Sequence, residues 1–220
     1  MDILRNIAKF FHDGGWAMVP LSLTSLVALA FILERGVALR RARVIPDYLY
    51  RMLLSYHSGQ PLEPIAAMIG VGDSTMARLV RVCLEHLPWS KAENAEAVQV
   101  RARAEVVQLE RGLVLLEIIV GIAPLLGLMG TVSGMIVIFT DVGHLGAAKQ
   151  TMQMALGISQ ALNATVSGLA IAIPALIMHG YYSRKVEALA VEMESLCMDF
   201  LTKLYLQPAS AAGDKPKTAR

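Results

Sequence analysis

The sequence predicts an all-α integral membrane protein with three transmembrane helices, of which the second and third are long and extend into a helical cytoplasmic domain. Two observations predict this fold class. Mean hydropathy is +0.52 and only 17% of the 220 residues are charged, which is too apolar for a soluble protein of this size. Three apolar segments are each long enough for a helix to cross a bilayer.

The first apolar segment predicts transmembrane helix 1 over 16–34 and follows a short N-terminal segment, 1–15. The N-terminal segment could form an amphipathic helix on the membrane surface or stay irregular. Acidic residues precede the apolar run, and it ends at Glu34 and Arg35 instead of at a small-residue cleavage site. We therefore interpret it as a retained signal anchor.

Residues 35–111 are predicted to form a cytoplasmic helical loop. A helix is expected over 47–56, whereas the prolines and glycines of 60–72 predict a loop with at most one turn. A further helix is expected to begin at a cap on Asp73 or Ser74, because the apolar residues that follow have 3, 4, 7 spacing.

A capping box at Ser90 to Glu93 predicts the start of the next helix. The first proline after it is Pro124, so we expect one continuous helix to run from the cytoplasm into transmembrane helix 2, 112–140. The remaining elements are predicted as a short hairpin at 141–151, transmembrane helix 3 at 152–182, a cytoplasmic helix at 183–207 and a disordered tail at 208–220.

The distribution of positive charge predicts the orientation in the membrane. Of the 20 Lys and Arg residues, 17 lie in 35–111 and in the C-terminal part after the third span. By the positive-inside rule, the loop and the C-terminus are cytoplasmic, and the N-terminus is on the other side.

Small residues recur every three or four positions in the second and third spans, where they allow helix backbones to approach closely. The residues are Gly127, Gly130, Gly134, Ala161 and Gly168. Helix packing is their more common role, and lining a pore is the alternative. Pro124 and Pro174 predict kinks whose freed carbonyls suit a helix that lines a cavity, although kinks also occur in ordinary bundles.

Two threonines lie at membrane depth, Thr131 roughly 14 Å and Thr165 roughly 20 Å from the outer helix ends. In a homo-oligomeric pore they could form rings of hydroxyls, or each could bond to a carbonyl of its own helix. Glu117 is the ionisable residue well inside a span, which suggests either a proton relay or pairing with Arg184 or Lys185.

Several function classes receive no support from the sequence. The five histidines lack metal-ligand spacing, a P-loop is absent, and no nucleophile and base pair is visible. We expect no enzyme activity, no cofactor, no metal and no nucleic-acid partner. Cys83 and Cys197 are far apart in sequence, which predicts reduced thiols.

Three stretches of the chain are distinctive: GGWAMVPLSLTSLVALAFILERG, APLLGLMGTVSGM and GISQALNATVSGLAIAIPALI. Together they closely resemble the MotA/TolQ/ExbB proton-channel family, nearest to ExbB and TolQ. The resemblance implies a homo-pentamer in the lipid of the bacterial inner membrane, with 1–15 and 141–151 in the periplasm. It also implies an enclosed ExbD/TolR-like single-span partner that supplies an aspartate. Proton flow past that aspartate would drive a TonB-like or TolA-like protein.

The family's pore threonines fall on Thr131 and Thr165, which the resemblance therefore assigns to the proton pathway. Gln160 occupies a position where ExbB and TolQ often carry glutamate, and an amide cannot titrate. The resemblance favours an ExbB-like energiser of outer-membrane transport. The alternatives are a TolQ-like motor for envelope maintenance, a MotA-like stator, which would have four spans, and a non-conducting membrane scaffold.

Overall fold

The computed structural model describes residues 16–141 and 147–206, which form seven α-helices and, within these ranges, no strand. The helices are α1 Met18–Ala38, α2 Arg41–Val44, α3 Asp47–Ser55, α4 Glu63–Val71, α5 Thr75–Glu85, α6 Lys91–Asp141 and α7 Ala147–Tyr205. The predicted all-α fold class is confirmed. The predicted N-terminal segment and tail, and the middle of the hairpin, lie outside the described residues.

Three of these helices, α1, α6 and α7, are long and apolar enough to cross a membrane. Helix α6 has 51 residues and α7 has 59. At about 1.5 Å per residue, each is more than twice as long as the ~30 Å hydrocarbon thickness. The second and third spanning helices therefore continue far beyond a membrane, as predicted. Helix α1 ends four residues beyond 34, and α7 begins inside the predicted hairpin at 141–151.

The described chain divides into two compact units. The membrane unit comprises the residues up to Val37 and Arg111–Ser183, and the loop unit comprises Ala38–Glu110 and the residues from Arg184 onward. In the membrane unit, Ala28 of α1 packs with apolar residues of α6 and α7. The Tyr182 hydroxyl of α7 also donates a hydrogen bond to the Ile32 carbonyl of α1, at 2.8 Å. Helix α1 is therefore held against the other two spanning helices.

The loop unit has a large apolar core of its own. Residues of α3, α5 and α7, such as Leu49, Met76 and Phe200, are fully buried in it. Ser74 caps α5, since its Oγ accepts a hydrogen bond from Ala77 N at 3.2 Å. The predicted cap is thus confirmed on Ser74.

The predicted capping box at the start of α6 is also confirmed. Ser90 N donates to Glu93 Oε2 at 3.0 Å, and Glu93 N donates to Ser90 Oγ at 3.3 Å. Because Ser90 donates hydrogen bonds to it, the pKa of Glu93 lies below its usual range. This exchange satisfies backbone donors that the first turn of a helix leaves unpaired.

The predicted loop over 60–72 is wrong, because Glu63–Val71 forms helix α4. Pro64 lies in the first turn of α4, where the missing N–H costs nothing. Ile65 and Ile69, one turn apart, are each only 3% exposed. Burial of this apolar face stabilises a helix that the Pro and Gly content argued against.

A buried carboxylate, Glu105 of α6, lies inside the loop unit with its side chain 0% exposed. Arg78 of α5 donates to it from Nε at 2.9 Å and also from Nη2, and Arg101 Nη2 lies 2.7 Å from Glu105 Oε1. The hydrogen bond from Arg78 to Glu105 raises the pKa of Arg78 above its usual value. The charge of Glu105 is therefore compensated inside the unit.

The two cysteines, distant in sequence, meet in the core of the loop unit. Cys83 of α5 and Cys197 of α7 are free and buried. The hydrogen bond that the Cys197 thiol donates to Cys83, together with desolvation by burial, raises the pKa of the Cys197 thiol well above its usual value. Both residues behave as small apolar core residues, consistent with the reduced state that the sequence predicts.

Candidate functional site

The spanning parts of α6 and α7 contact each other along a row of small residues. A methyl group added at Gly127 would lie 2.9 Å from the Ala164 carbonyl oxygen and 3.1 Å from Thr165 Cα. One added at Gly168 would lie 2.6 Å from the Ala123 carbonyl oxygen. The two backbones therefore approach too closely for any side chain at these positions.

The row continues toward the C-terminal end of α6 and the N-terminal end of α7. A methyl group at Gly130 would lie 2.6 Å from Ala164 Cβ and 2.9 Å from Ala17 Cβ, so the residue just before α1 also reaches this contact. At Gly134 it would lie 3.3 Å from Ala161 Cβ. All five small residues singled out in the sequence lie at this contact, so the structure gives them packing contacts.

The two threonines have different hydrogen bonding. Thr131 Oγ1 donates to the Leu128 carbonyl of its own helix at 2.6 Å. Thr165 Oγ1 is buried and has no hydrogen-bond partner among the described residues. An unpaired buried hydroxyl is costly, so a water molecule or a polar group of another chain is expected to bond to it. Of the two threonines, Thr165 is the one whose hydroxyl has an unmet hydrogen bond among the described residues.

Thr131 and Thr165 lie at similar depth. The backbone at Gly127 contacts Thr165, and Thr131 follows Gly127 by one helical turn, about 6 Å. The structure thus brings together, within about one turn along the helix axes, the two residues that the resemblance assigns to the proton pathway.

The structure does not bring Gln160 and Glu117 to this pair. Gln160 is exposed on α7, and five residues of helix turn it about 140° away from Thr165. Glu117 is exposed on α6, fourteen residues and about 21 Å before Thr131. No ion pair to Glu117 occurs within the described ranges. The roles proposed for both residues stay predictions.

Pro124 and Pro174 lie inside α6 and α7, and both helices continue through them. The kinks that they predict stay predictions. Sequence reasoning missed Ala17 and Ala123, which also contact the row of glycines. Ala123 could have been found, because it lies four residues before Gly127 and extends the same helical spacing.

Replacing Gly168 with Ala tests how tightly the two helices are packed. The new methyl group would meet the Ala123 carbonyl, so we expect the free energy of unfolding to fall by about 1–3 kcal/mol. Gly121→Ala is the matched control, since Gly121 of α6 has no neighbouring atom within 4 Å of an added methyl group. It should be neutral or stabilising by up to about 1 kcal/mol. Unfolding in detergent, followed by circular dichroism, measures both, and equal stability of the two variants would contradict the close packing.

The sequence model of the MotA/TolQ/ExbB proton channel family matches residues 73–195 of this chain. The chain belongs to this family. The match begins just before α5 and ends within α7, of which it covers the greater part. It therefore includes the whole α6–α7 contact in the membrane unit, with Thr131 and Thr165.

Two curated relatives are similar to this chain over most of its length, and a third over a shorter part. The chain is 33% identical over 175 residues to the biopolymer transport protein ExbB-like 1 of Synechocystis sp., covering 76% of this chain and 67% of that protein. It is 29% identical over 197 residues to the Tol-Pal system protein TolQ of Haemophilus influenzae, covering 83% and 85%. It is also 44% identical over 82 residues to the biopolymer transport protein ExbB of Helicobacter pylori, covering 37% and 56%.

Proposed function

We propose that this chain is the proton-channel subunit of an ExbB-like energy-transducing complex in the bacterial inner membrane. The complex uses the proton motive force to drive a TonB-like protein for outer-membrane transport, and the chain itself is no enzyme. Family membership and the ExbB-like relatives support a role as an energiser. The observation that carries the proposal is the buried hydroxyl of Thr165 at the α6–α7 contact, which has no hydrogen-bond partner among the described residues.

The chain supplies hydroxyls to the pathway, and a partner supplies the group that titrates. Within the predicted second and third spans the one carboxylate is Glu117, about 21 Å from Thr131. A single-span partner similar to ExbD or TolR would bring an aspartate close to Thr165. The Thr165 hydroxyl, with water and Thr131, would then pass protons to and from that carboxylate.

The available energy suffices for such a cycle. One proton that crosses 100 mV releases about 2.3 kcal/mol, and one pH unit adds about 1.4 kcal/mol. The energy released by several protons per cycle is therefore sufficient to drive a conformational change against a protein–protein interface. Because α6 and α7 each run unbroken through both units, a shift in either helix can be transmitted along its length.

The proposed assembly is a homo-pentamer that encloses two copies of the partner and is surrounded by membrane lipid. Its N-terminus is periplasmic and its C-terminus cytoplasmic, in agreement with the positive-inside rule. A TolQ-like motor that acts through a TolA-like protein is the second candidate. The similarity to TolQ of Haemophilus influenzae favours it, because that alignment covers a larger share of both chains than the two ExbB alignments.

Native mass spectrometry tests the assembly. The chain is co-expressed with a single-span protein that carries an early aspartate, and the complex is extracted in mild detergent. Five copies of the chain with two copies of the partner are the expected result. A monomer, or an oligomer that loses the partner in every detergent, would contradict the proposal. Proton uptake by liposomes that contain the complex should then depend on the partner's aspartate. An assembled complex without proton flux would indicate a non-conducting membrane scaffold instead.

A further inference from the structure

A groove in the loop unit exposes apolar side chains that the core of the unit leaves uncovered. It has a volume of about 580 Å³ and is lined by residues of α5 and of the first part of α6. Trp89, which is 50% exposed, and Val100, which is 62% exposed, both line it. We call it the Trp89 groove. Because it lies outside the predicted spans, where lipid cannot cover it, we expect another segment of protein to bind there.

The charges that line the Trp89 groove are not balanced. They belong to Glu93, Glu96 and Arg101. Arg101 Nη2 lies 2.7 Å from the buried carboxylate of Glu105, so its charge is already compensated. Glu93 and Glu96 are exposed, and neither forms an ion pair among the described residues. The groove therefore presents two carboxylates beside an apolar surface, which favours a basic segment as its occupant.

Helix α7 ends beside this groove. The hydroxyl of Tyr205, the last residue of α7, donates toward the carbonyl oxygens of the segment that follows α5, of which Trp89 O is the nearest at 3.0 Å. Asn94 Nδ2 of α6 donates to the same hydroxyl at 3.1 Å. Residues 207–220, which follow α7, thus begin next to the end of the groove at which Trp89 and Glu93 lie.

The segment that follows α7 has a composition that fits the groove. Lys215, Lys217 and Arg220 are basic, and Asp214 is the one acidic residue of 207–220. Pro216 lies between the two lysines. Prolines bind in aromatic-lined grooves, and a lysine ammonium is attracted to the face of an indole ring. The segment therefore complements both the tryptophan and the carboxylates of the groove.

The segment is also long enough to reach the whole groove. Lys215 follows Leu206 by nine residues, which span up to about 30 Å when extended. Glu93 and Ala104, which line opposite ends of the groove, are about 17 Å apart along α6. The basic residues can therefore lie against either end of it.

We propose that residues 214–220 bind in the Trp89 groove of the same copy. Lys215 and Lys217 then face the carboxylates of α6, and Pro216 packs against the indole of Trp89. Because the segment is tied to α7, its effective concentration at the groove is high. Small and polar residues predict disorder for this segment by itself, and such segments gain order where they bind. The bound segment joins the end of α7 to α5 and α6, a contact that the proposed function does not require.

Fluorescence of Trp89 measures whether the groove is covered. The sequence contains two tryptophans, so Trp16→Phe leaves Trp89 as the only one. Quenching by acrylamide, which is neutral, is compared in detergent between the full chain and a chain that ends at Leu206. The shorter chain should have a several-fold larger quenching constant, since removal of the segment exposes the indole. Equal quenching of the two chains would overturn the proposal.

Charge exchange tests the pairing of the lysines with the groove. Lys215→Glu combined with Lys217→Glu should raise the quenching of Trp89, and so should Glu96→Lys, because each places like charges together. A chain with all three changes should regain part of the protection, and a failure to regain any would contradict the pairing. Arg51→Glu reverses an exposed charge of α3 outside the groove. It is the control and should leave the quenching unchanged.

Cysteine cross-linking identifies the chain that occupies the groove. Val100→Cys with Pro216→Cys, oxidised in the full chain in detergent, should form a disulfide within one copy, which resists alkylation and runs as a monomer on a denaturing gel. Leu54→Cys with Pro216→Cys is the matched control and should cross-link far less. Leu54 is 45% exposed and lies beside the end of α7, since Lys203 Nζ donates to its carbonyl at 2.7 Å. The native cysteines are buried and present in every sample.

Other occupants of the groove give other results. A covalent dimer of the variant with cysteines at 100 and 216 would show that the segment reaches a second copy. A dimer of Val100→Cys alone would show that a second copy covers the groove with its helices. Either result, like equal cross-linking of 216 to 54 and to 100, would overturn the proposal. None of these measurements depends on proton flux, so their failure would leave the energiser proposal intact.

Discussion

Replacing Thr131 and Thr165 together with Val is expected to abolish partner-dependent proton flux while the complex still assembles. Valine keeps the shape of threonine but removes the hydroxyl that would hold water in the pathway. The loss of one hydrogen bond at the highest barrier, about 1.4 kcal/mol, slows transport about tenfold, and the loss of two should slow it further. Liposomes that contain the complex and a pH-sensitive dye measure the flux under an imposed potential.

The structure predicts a difference between the two single variants. Thr131 already donates to the Leu128 carbonyl, whereas the Thr165 hydroxyl has no partner in the part of the chain that the structure describes. Thr165→Val should therefore reduce flux more than Thr131→Val. Thr140→Val is the matched control. Thr140 lies near the end of α6, the helix of Thr131, and its hydroxyl donates to carbonyls of that helix. Normal flux in an assembled double variant would remove both threonines from the pathway.

Replacing Arg78 with Met is expected to destabilise the loop unit by about 3–5 kcal/mol. Glu105 is 0% exposed and, among the described residues, would keep only Arg101 as an ionic partner. A buried carboxylate that loses a partner retains its desolvation penalty and loses the compensating hydrogen bonds. Denaturant unfolding in detergent, followed by helicity, measures the change.

Two further variants separate the buried charge from a general effect of losing an arginine. Arg51→Met removes an exposed arginine of α3 and should change stability by no more than about 0.5 kcal/mol. Arg78→Met combined with Glu105→Gln also removes the buried negative charge and should recover part of the loss. If Arg78→Met were as mild as Arg51→Met, the ion pair would not be important for stability.

Local sequence patterns determined much of this fold. The apolar runs of α1, α6 and α7 were readable because a spanning helix needs about 20 apolar residues in succession. The capping box of Ser90 and Glu93 was readable because its hydrogen bonds join residues only three apart. Helix α4 was missed, because Pro64 and Gly70 are residue types that are typical of loops. In the folded unit, burial of Ile65 and Ile69 favours a helix instead.

The sequence alone placed Thr131 and Thr165 at membrane depth and the small residues at helical spacing, because both follow from counting residues along one helix. Only the tertiary structure decided that Gly127 contacts Thr165 and that the Thr165 hydroxyl finds no partner within 16–141 and 147–206. It alone placed Cys83 and Cys197 in the same apolar core and buried Glu105 against Arg78. Such contacts depend on which helix faces meet across a long sequence separation, and local spacing does not determine that choice.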